Sequence, residues 1–368
     1  MSLLIFLIIL SALIIVHELG HFLVAKYYGI RVDEFGLGYP PRAWKLFSWR
    51  QTVFTLNWLP FGGFVKIFGE NPSEEAKPSP WKDSKGKGLA LDSFQTKNRG
   101  IQAAVLVAGV VGNFLFAWLL ISFGFMSGLP SPAGLALPIE NPRTVITVVV
   151  PGSPAAQAGL KSGDAIVSMS RGDSYAELSP EALSEFIARS LEPITLSIER
   201  GKTSFTKNLA PQEGLIAGRP ALGISMETIG IVDLPLHRAI WEGLKTTVSL
   251  TLLTARAIFS LISQAVVGRA DLAAVTGPVG IVGMVGDMRE LGWNYLVTFA
   301  ALLSINLSII NLMPFPALDG GRLLFVGIET VTRRPIPSRF FNAVNTAGFA
   351  LLIFLMILIT IQDVRNIF

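Results

Sequence analysis

The sequence contains no cysteine. That absence excludes disulfides, thiolate-ligated metals and thiol nucleophiles, and it leaves the redox compartment unspecified. Histidine is nearly as scarce. His17, His21 and His237 are the whole supply, so any metal site must draw on these and on carboxylates. Charge is thin as well. Asp, Glu, Lys and Arg make up 15% of the 368 residues, against about 25% in an ordinary soluble domain. Hydrophobic residues reach 51% and mean hydropathy is +0.54, which points to the lipid bilayer as solvent. The formal net charge of +4 suits loops beside an anionic membrane surface. No dense Lys/Arg run with interleaved aromatics is present, so nucleic acid is not expected as a partner.

A helix needs about 20 apolar residues to cross the hydrocarbon core. Four segments qualify, at about 3–25, 101–126, 293–313 and 341–361. They predict an α-helical polytopic membrane protein with about four transmembrane helices. A fifth apolar stretch, about 239–267, is interrupted by Lys245, Arg256 and Gln264. A central arginine is costly in lipid, so this stretch is expected to lie on the membrane surface as an amphipathic helix. The first segment lacks a basic start and a small-residue cleavage site, and is expected to be retained rather than removed as a signal peptide. Twelve Lys and Arg fall between Lys26 and Arg99, and Arg322, Arg333, Arg334 and Arg339 follow the third segment. By the positive-inside rule these two loops face the cytoplasm. Both termini and the long segment 127–292 then face outward.

That outer segment reads as a small α+β module. Val145–Val150 is rich in β-formers, and Ser153–Pro154 starts a short helix that Gly159 ends. A turn at Gly163–Asp164 leads into a strand over Ala165–Met169. A helix at Pro180–Arg189 and strands near Thr195–Arg200 and Phe205–Leu209 follow. The string from Pro151 to Ile166 resembles a PDZ domain in the permuted strand order of bacterial proteases. The resemblance places a peptide-binding strand and loop at Ala221–Ser225, with Leu222, Gly223 and Ile224 at its centre. PDZ domains take extended peptides by strand addition. Any small αβ domain is the alternative.

The cytoplasmic loop carries a second β pattern. Residues 52–58 alternate, with Phe54, Leu56 and Trp58 on one face; Leu59–Gly63 supplies a turn, and Phe64–Phe68 returns. This predicts a membrane-associated hairpin with an apolar face, the alternative being an ordinary surface hairpin. Residues 70–92 are polar and rich in Pro and Gly, and read as a mobile loop. The expected organisation is a first half of a membrane core over 1–128 with the hairpin at about 50–69. The module follows at 129–228, then a membrane-surface linker at 229–292 and the second half of the core at 293–368.

The chemistry lies in the first span, at His17-Glu18-Leu19-Gly20-His21. Histidines at i and i+4 share one helical face and can hold one ion. Zinc accepts imidazole nitrogen and leaves room for a water, and Glu18 is placed to act on that water as a general base. Ionisable groups in an apolar span persist mainly where they pair, bind an ion or face a polar cavity. The alternative is a polar helix end at the interface. The residue types suit zinc without separating it from iron or cobalt. A third ligand must be a carboxylate. Asp319, in the run Asn311–Arg322 that reads NLMPFPALDGGR, is the sole acid between Glu290 and Glu329. Pro314 and Pro316 break the third helix there, and Gly320–Gly321 are expected to free the backbone beyond it. Spans one and three run in the same direction, so both motifs sit at similar depth. A turn residue at the membrane surface is the other reading of Asp319.

Together, HELGH in the first span, the LDG of the later motif and a PDZ-like insertion between spans two and three resemble the site-2 protease family. The nearest likeness is to the bacterial zinc metalloproteases of regulated intramembrane proteolysis. Gly62–Lys66 (GGFVK) and Thr276–Ile281 (TGPVGI) match as well. The resemblance implies His17, His21 and Asp319 as zinc ligands, Glu18 as catalytic base, and a bacterial inner-membrane location with the active site toward the cytoplasm. It further implies that Asn311, Pro314 and Pro316 shape a substrate path, and that the hairpin at Gly62, Gly63 and Phe64 holds substrate as a strand. Substrates would be single-span membrane proteins such as anti-sigma factors, or leftover signal peptides. One departure stands in span two, where Val110 replaces the family's proline between Gly109 and Asn113. Asn113 needs a partner in lipid, in the active site or on substrate backbone; plain helix packing with Gly109 and Gly112 is the alternative. A PDZ-bearing membrane scaffold without turnover is the rival to the protease, and the intact Glu18 argues against it.

Overall fold

The computed structural model describes residues 1–70, 92–133, 137–201, 203–216, 218–269 and 276–367. Nearly all of the Pro- and Gly-rich loop expected at 70–92 lies outside them. In chain order the first elements are helix α1 (Ser2–Tyr27), strands β1 (Val32–Trp49) and β2 (Thr52–Ile67), and helix α2 (Arg99–Met126). Then come β3 (Leu129–Pro132), β4 (Glu140–Val149), α3 (Pro154–Gln157), β5 (Ala165–Arg171), β6 (Ser174–Tyr175), α4 (Pro180–Ala188), β7 (Ile194–Arg200) and β8 (Thr203–Leu209). The chain continues through β9 (Gln212–Ile216), β10 (Arg219–Ala221), β11 (Ile224–Val232), α5 (Leu236–Val266), α6 (Pro278–Leu291), α7 (Trp293–Leu312), α8 (Asp319–Thr332) and α9 (Ser338–Ile367).

Two compact units divide the chain. One comprises Met1–Leu120, Gly243–Gly286 and Phe299–Phe368; the other comprises Ile121–Glu242 and Asp287–Thr298. Among the described residues five helices, α1, α2, α5, α7 and α9, are long and apolar enough to cross a membrane by length and composition. Helix α5 has the lowest hydropathy of the five, 1.4 against 1.8–2.6 for the others. The chain is an integral membrane protein.

Apolar burial does not drive helices together in lipid, where close backbone approach and interhelical hydrogen bonds do more. The first unit uses both. A Cβ on Gly20 would stand 2.3 Å from the Ala108 carbonyl oxygen, so α1 and α2 meet backbone to backbone. The Ser304 and Ser308 hydroxyls of α7 donate to the carbonyls of Asn113 (2.8 Å) and Val110 (2.9 Å) on α2. The TGPVGI motif is accounted for by packing. Buried Asp363, near the end of α9, accepts hydrogen bonds from the backbone N–H groups of Gly277 (3.1 Å) and Gly280 (2.8 Å) at the start of α6.

The hairpin differs from its expected form. β2 runs unbroken through the predicted turn at Leu59–Gly63, and its partner is β1, which the sequence reading missed. The reversal lies at Arg50–Gln51, both with positive φ (45° and 66°). Trp49 pairs with Thr52 and Arg42 with Asn57; further on, Val32 pairs with Ile67 and Gly36 with Phe64. Glu34–Leu37 also lie in register beside Val53–Leu56. Both strands therefore fold over, and the Gly62 bend (φ 79°) carries the chain to the far side of β1 rather than ending the strand. Residues 63–67 form an outer strand whose other edge is unpaired among the described strands.

The second unit is built on a seven-stranded sheet in the order β3-β11-β4-β5-β7-β8, with β6 on β5. Its core is Ile146, Met169, Leu183, Ile194, Leu196 and Ile198 with their neighbours. The Ser153 and Ser179 hydroxyls cap α3 and α4 by accepting from Ala156 and Ala182 N–H. The Gly163–Asp164 turn is fixed by charge. Asp164 is fully buried and accepts from Arg200 Nε (2.6 Å), Arg200 Nη2 (2.8 Å) and Lys161 N–H (2.9 Å). Asp164→Ala strands that guanidinium and is expected to destabilise this unit by about 1.5–3 kcal/mol, read as faster amide exchange in β5 and β7 of the full-length protein. Unchanged exchange would show that the ion pair is not what holds the turn.

Candidate metal centre

Helix α1 presents His17 and His21 one turn apart, both buried (7% and 5% exposed). Opposite them, the chain leaves α7 after Leu312, makes a short irregular turn, and re-enters a helix at Asp319. The sequence reading expected Gly320–Gly321 to free the backbone beyond the proline-broken turn; instead both are helical and tightly packed. A Cβ on Gly320 would stand 2.2 Å from the Leu312 and Met313 carbonyl oxygens, and one on Gly321 would stand 2.2 Å from that of Phe315. Two glycines let α8 begin directly against the end of α7, which fixes the Asp319 carboxylate instead of loosening it. Arg322, one turn on, pairs with Glu70 and ties α8 to the chain leaving β2.

The three side chains converge. Asp319 Oδ2 is 2.9 Å from His17 Nε2 and 3.2 Å from His21 Nε2, and the two Nε2 atoms are 3.1 Å apart. Among the described residues this is the one group of three or more His and acidic side chains whose ligating atoms could share an ion. The surroundings suit zinc on two counts. His21 Nδ1–H donates to the Val105 carbonyl at 2.7 Å, which leaves Nε2 as the free lone pair, the usual arrangement for a metal-bound imidazole. Gly109 of α2 faces the cluster without a side chain: a Cβ there would lie 2.3 Å from His21 Nε2 and 2.8 Å from His17 Nε2. The space beside the two Nε2 atoms is kept open by a missing methyl. Neither feature could be picked out from the sequence, because nothing in an apolar helix marks which glycine faces a histidine.

Glu18 lies on the adjoining face of α1. Its Oε2 accepts the Val65 N–H at 3.0 Å, so the outer strand of the hairpin runs past the carboxylate. Gly62 and Gly63 are buried beside α1 and Phe64 is half-buried; a Cβ on Gly63 would be 4.0 Å from Glu18 Cγ.

The remaining predicted residues fall in several places. Asn311 is half-buried in the last turn of α7, Pro314 is exposed and Pro316 half-buried in the turn beyond. Pro316 packs on Gly348 of α9, where a Cβ would meet its own Cβ at 2.5 Å. Asn113 is wholly buried behind His17, with its amide nitrogen 3.3 Å from Nδ1. In the second unit, Leu222 is a core side chain (1% exposed) whose carbonyl accepts from Ala155 N–H. Gly223 has φ 77° and stands against Ser153, and Ile224 opens β11.

The family model for peptidase family M50 matches residues 5–355. A protein named "Putative zinc metalloprotease" in Clostridium perfringens is 37% identical over 96% of this chain and 96% of its own length. Zinc metalloprotease RasP of Geobacillus kaustophilus is 29% identical over 100% and 98%. A further "Putative zinc metalloprotease", from Nostoc, is 32% identical over 100% and 97%. The site is divided between α1 and α8, about 300 residues apart in sequence (|i−j| 302 for His17 and Asp319). A family match that runs from the first span into the last takes in both parts, and with them the resemblance to site-2 proteases; the chain belongs to peptidase family M50.

Proposed function

We propose that this protein is an intramembrane zinc metalloendopeptidase, with His17, His21 and Asp319 as zinc ligands and Glu18 as general base. The observation that carries the reading is the convergence of two imidazole nitrogens and one carboxylate oxygen within 3.2 Å of one another, next to a carboxylate that none of them uses. The relatives' names supply zinc and proteolysis. Zinc held there would supply a Lewis acid and acidify a water. Glu18 would take a proton as the water oxygen bonds the scissile carbonyl carbon, and would return it to the leaving amine as the C–N bond breaks.

A helical substrate hides its carbonyls in its own hydrogen bonds and must open before cleavage. The unpaired edge of residues 63–67 offers an opened chain a strand to pair with, and the Val65 contact to Glu18 sets that strand beside the base. The substrates that fit are single transmembrane segments, of the anti-sigma-factor or leftover signal-peptide kind. A photoreactive phenylalanine analogue at Phe64 is expected to crosslink such a segment in a Glu18→Gln background; no crosslink from position 64 to that segment would remove the hairpin from the substrate path.

The second unit is proposed to be a PDZ domain over about 145–225. Its β11 pairs with β4 along one side from Ile224, whereas β3 covers the other side only from Ile229 to Val232. Residues 224–228 thus keep an edge, unpaired among the described strands, for an added peptide. Its role would be to exclude substrates with bulky external domains. Deleting 145–225 is then expected to loosen substrate choice while cleavage persists, and unchanged size discrimination would refute the filter.

Four spans with α5 on the membrane surface put both termini and the second unit outside and the metal centre toward the cytoplasm. The low hydropathy of α5 and its Arg256 support that count. The cysteine-free sequence allows a direct check. Arg334→Cys and Asp173→Cys are expected to react with an impermeant maleimide from opposite sides, Asp173→Cys from outside. Labelling of both from one side would overturn the topology.

A further inference from the structure

Helix α2 places Val105, Gly109 and Asn113 four residues apart, on one face, against the two histidines. Val105 gives a carbonyl to His21 Nδ1 (2.7 Å). Gly109 leaves space beside both Nε2 atoms. Asn113 sets its amide 3.3 Å from His17 Nδ1 and is 0% exposed. We propose that Asn113 is a positioning residue that holds His17 in the ligand tautomer by accepting its Nδ1–H, the side-chain counterpart of what the Val105 carbonyl does for His21. This rests on the reading of His17 as a metal ligand.

The argument is one of lone pairs. His17 Nε2 points at Asp319 Oδ2 and His21 Nε2. A neutral imidazole that offers Nε2 to a metal carries its proton on Nδ1, and a buried N–H needs an acceptor. Asn113 Oδ1 is buried with no hydrogen-bond partner, while Nδ2 is the atom facing His17. The two ends of an amide have nearly the same shape, and turning the group end for end brings the unused acceptor to Nδ1. The Asn113 backbone is pinned by the Ser304 hydroxyl bonded to its carbonyl at 2.8 Å. The amide therefore pivots on a fixed helix rather than drifting with it. Buried with no surface of its own, Asn113 belongs behind the ligand and not on the substrate path.

Acceptor and donor roles predict opposite outcomes for Asn113→Asp, which has two acceptors and no N–H. Zinc affinity of the full-length protein, measured by chelator competition, is expected to stay within about threefold of wild type in Asn113→Asp and to fall about 10–100-fold in Asn113→Leu. Thermal unfolding of chelator-stripped samples should coincide for all three if the effect acts through zinc. If Asn113→Leu binds zinc like wild type, or Asn113→Asp weakens it tenfold or more, the acceptor role is wrong. Should Asn113→Leu fail to fold, the Asn113→Asp result still decides. His17→Ala separates this from the premise: wild-type zinc affinity there would overturn His17 as ligand. Lost affinity in His17→Ala together with an indifferent Asn113→Leu would overturn the positioning role alone.

Discussion

Glu18→Gln is expected to bind zinc at wild-type stoichiometry and to lose cleavage of a model single-span substrate by about 10²–10⁴-fold, the range that general acid–base catalysis contributes. Two features make this substitution clean. The side chains whose ligating atoms converge are His17, His21 and Asp319, so the proposed metal set is untouched. The Val65 N–H that bonds Glu18 Oε2 at 3.0 Å finds an equivalent acceptor in a glutamine oxygen, so the outer strand keeps its place. What the variant lacks is a group that can take a proton from water and hand it on. The measurement is cleavage in liposomes with zinc content determined on the same preparations. Cleavage within tenfold of wild type would show that Glu18 is not the base. Wild-type protein that binds one zinc yet cuts no transmembrane segment under any condition would favour a scaffold that has kept the site without turnover.

The three side chains that converge were only partly legible. His17 and His21 stand out as two of three histidines, one helical turn apart in an apolar span, whereas Asp319 had a turn residue at the membrane surface as an equal reading until the family resemblance was added. In the second unit β4, β5, β7 and β8 were legible, because turns and helix signals bracket short runs of β-formers, whereas β3, β6, β9, β10 and most of β11 were not. The hairpin was not. Gly36, Gly38, Pro40 and Pro41 interrupt the alternation that would have marked β1, while Gly62 and Gly63 imitate a turn that the chain makes at Arg50–Gln51. Pairing to both sides of one strand is a tertiary fact that no local pattern records. The glycines of α8 misled in the same way, since a glycine that loosens a backbone and one that lets two backbones touch look alike in sequence. The second role holds here, with carbonyl oxygens 2.2 Å from either missing Cβ.

Gly109 carries that last point to its largest consequence. Gly109→Ala adds one methyl to the middle of α2, a change that in an ordinary helix gains up to about 1 kcal/mol. Here the new Cβ would stand 2.3 Å from His21 Nε2 and 2.7 Å and 2.8 Å from His17 Cε1 and Nε2, in the space a bound ion and its ligands need. The helix has little freedom to retreat, because Ala108 already meets Gly20 of α1 backbone to backbone, and Ser304 and Ser308 hold the other side. The imidazoles must therefore turn away, and turning His21 also breaks its 2.7 Å bond to Val105. Loss of an orienting partner alone typically weakens a metal site about 10–100-fold. Overlap with the two Nε2 atoms themselves is expected to exceed the upper end of that range, so that purified Gly109→Ala contains almost no zinc and no activity while the metal-free protein still unfolds cooperatively. Gly327→Ala, at a helical glycine with nothing within 4 Å of the added Cβ, should keep its zinc and its activity. Gly109→Ala protein with a full complement of zinc would mean that the ion sits elsewhere, and the face of α2 opposite the histidines would lose its claim to the site.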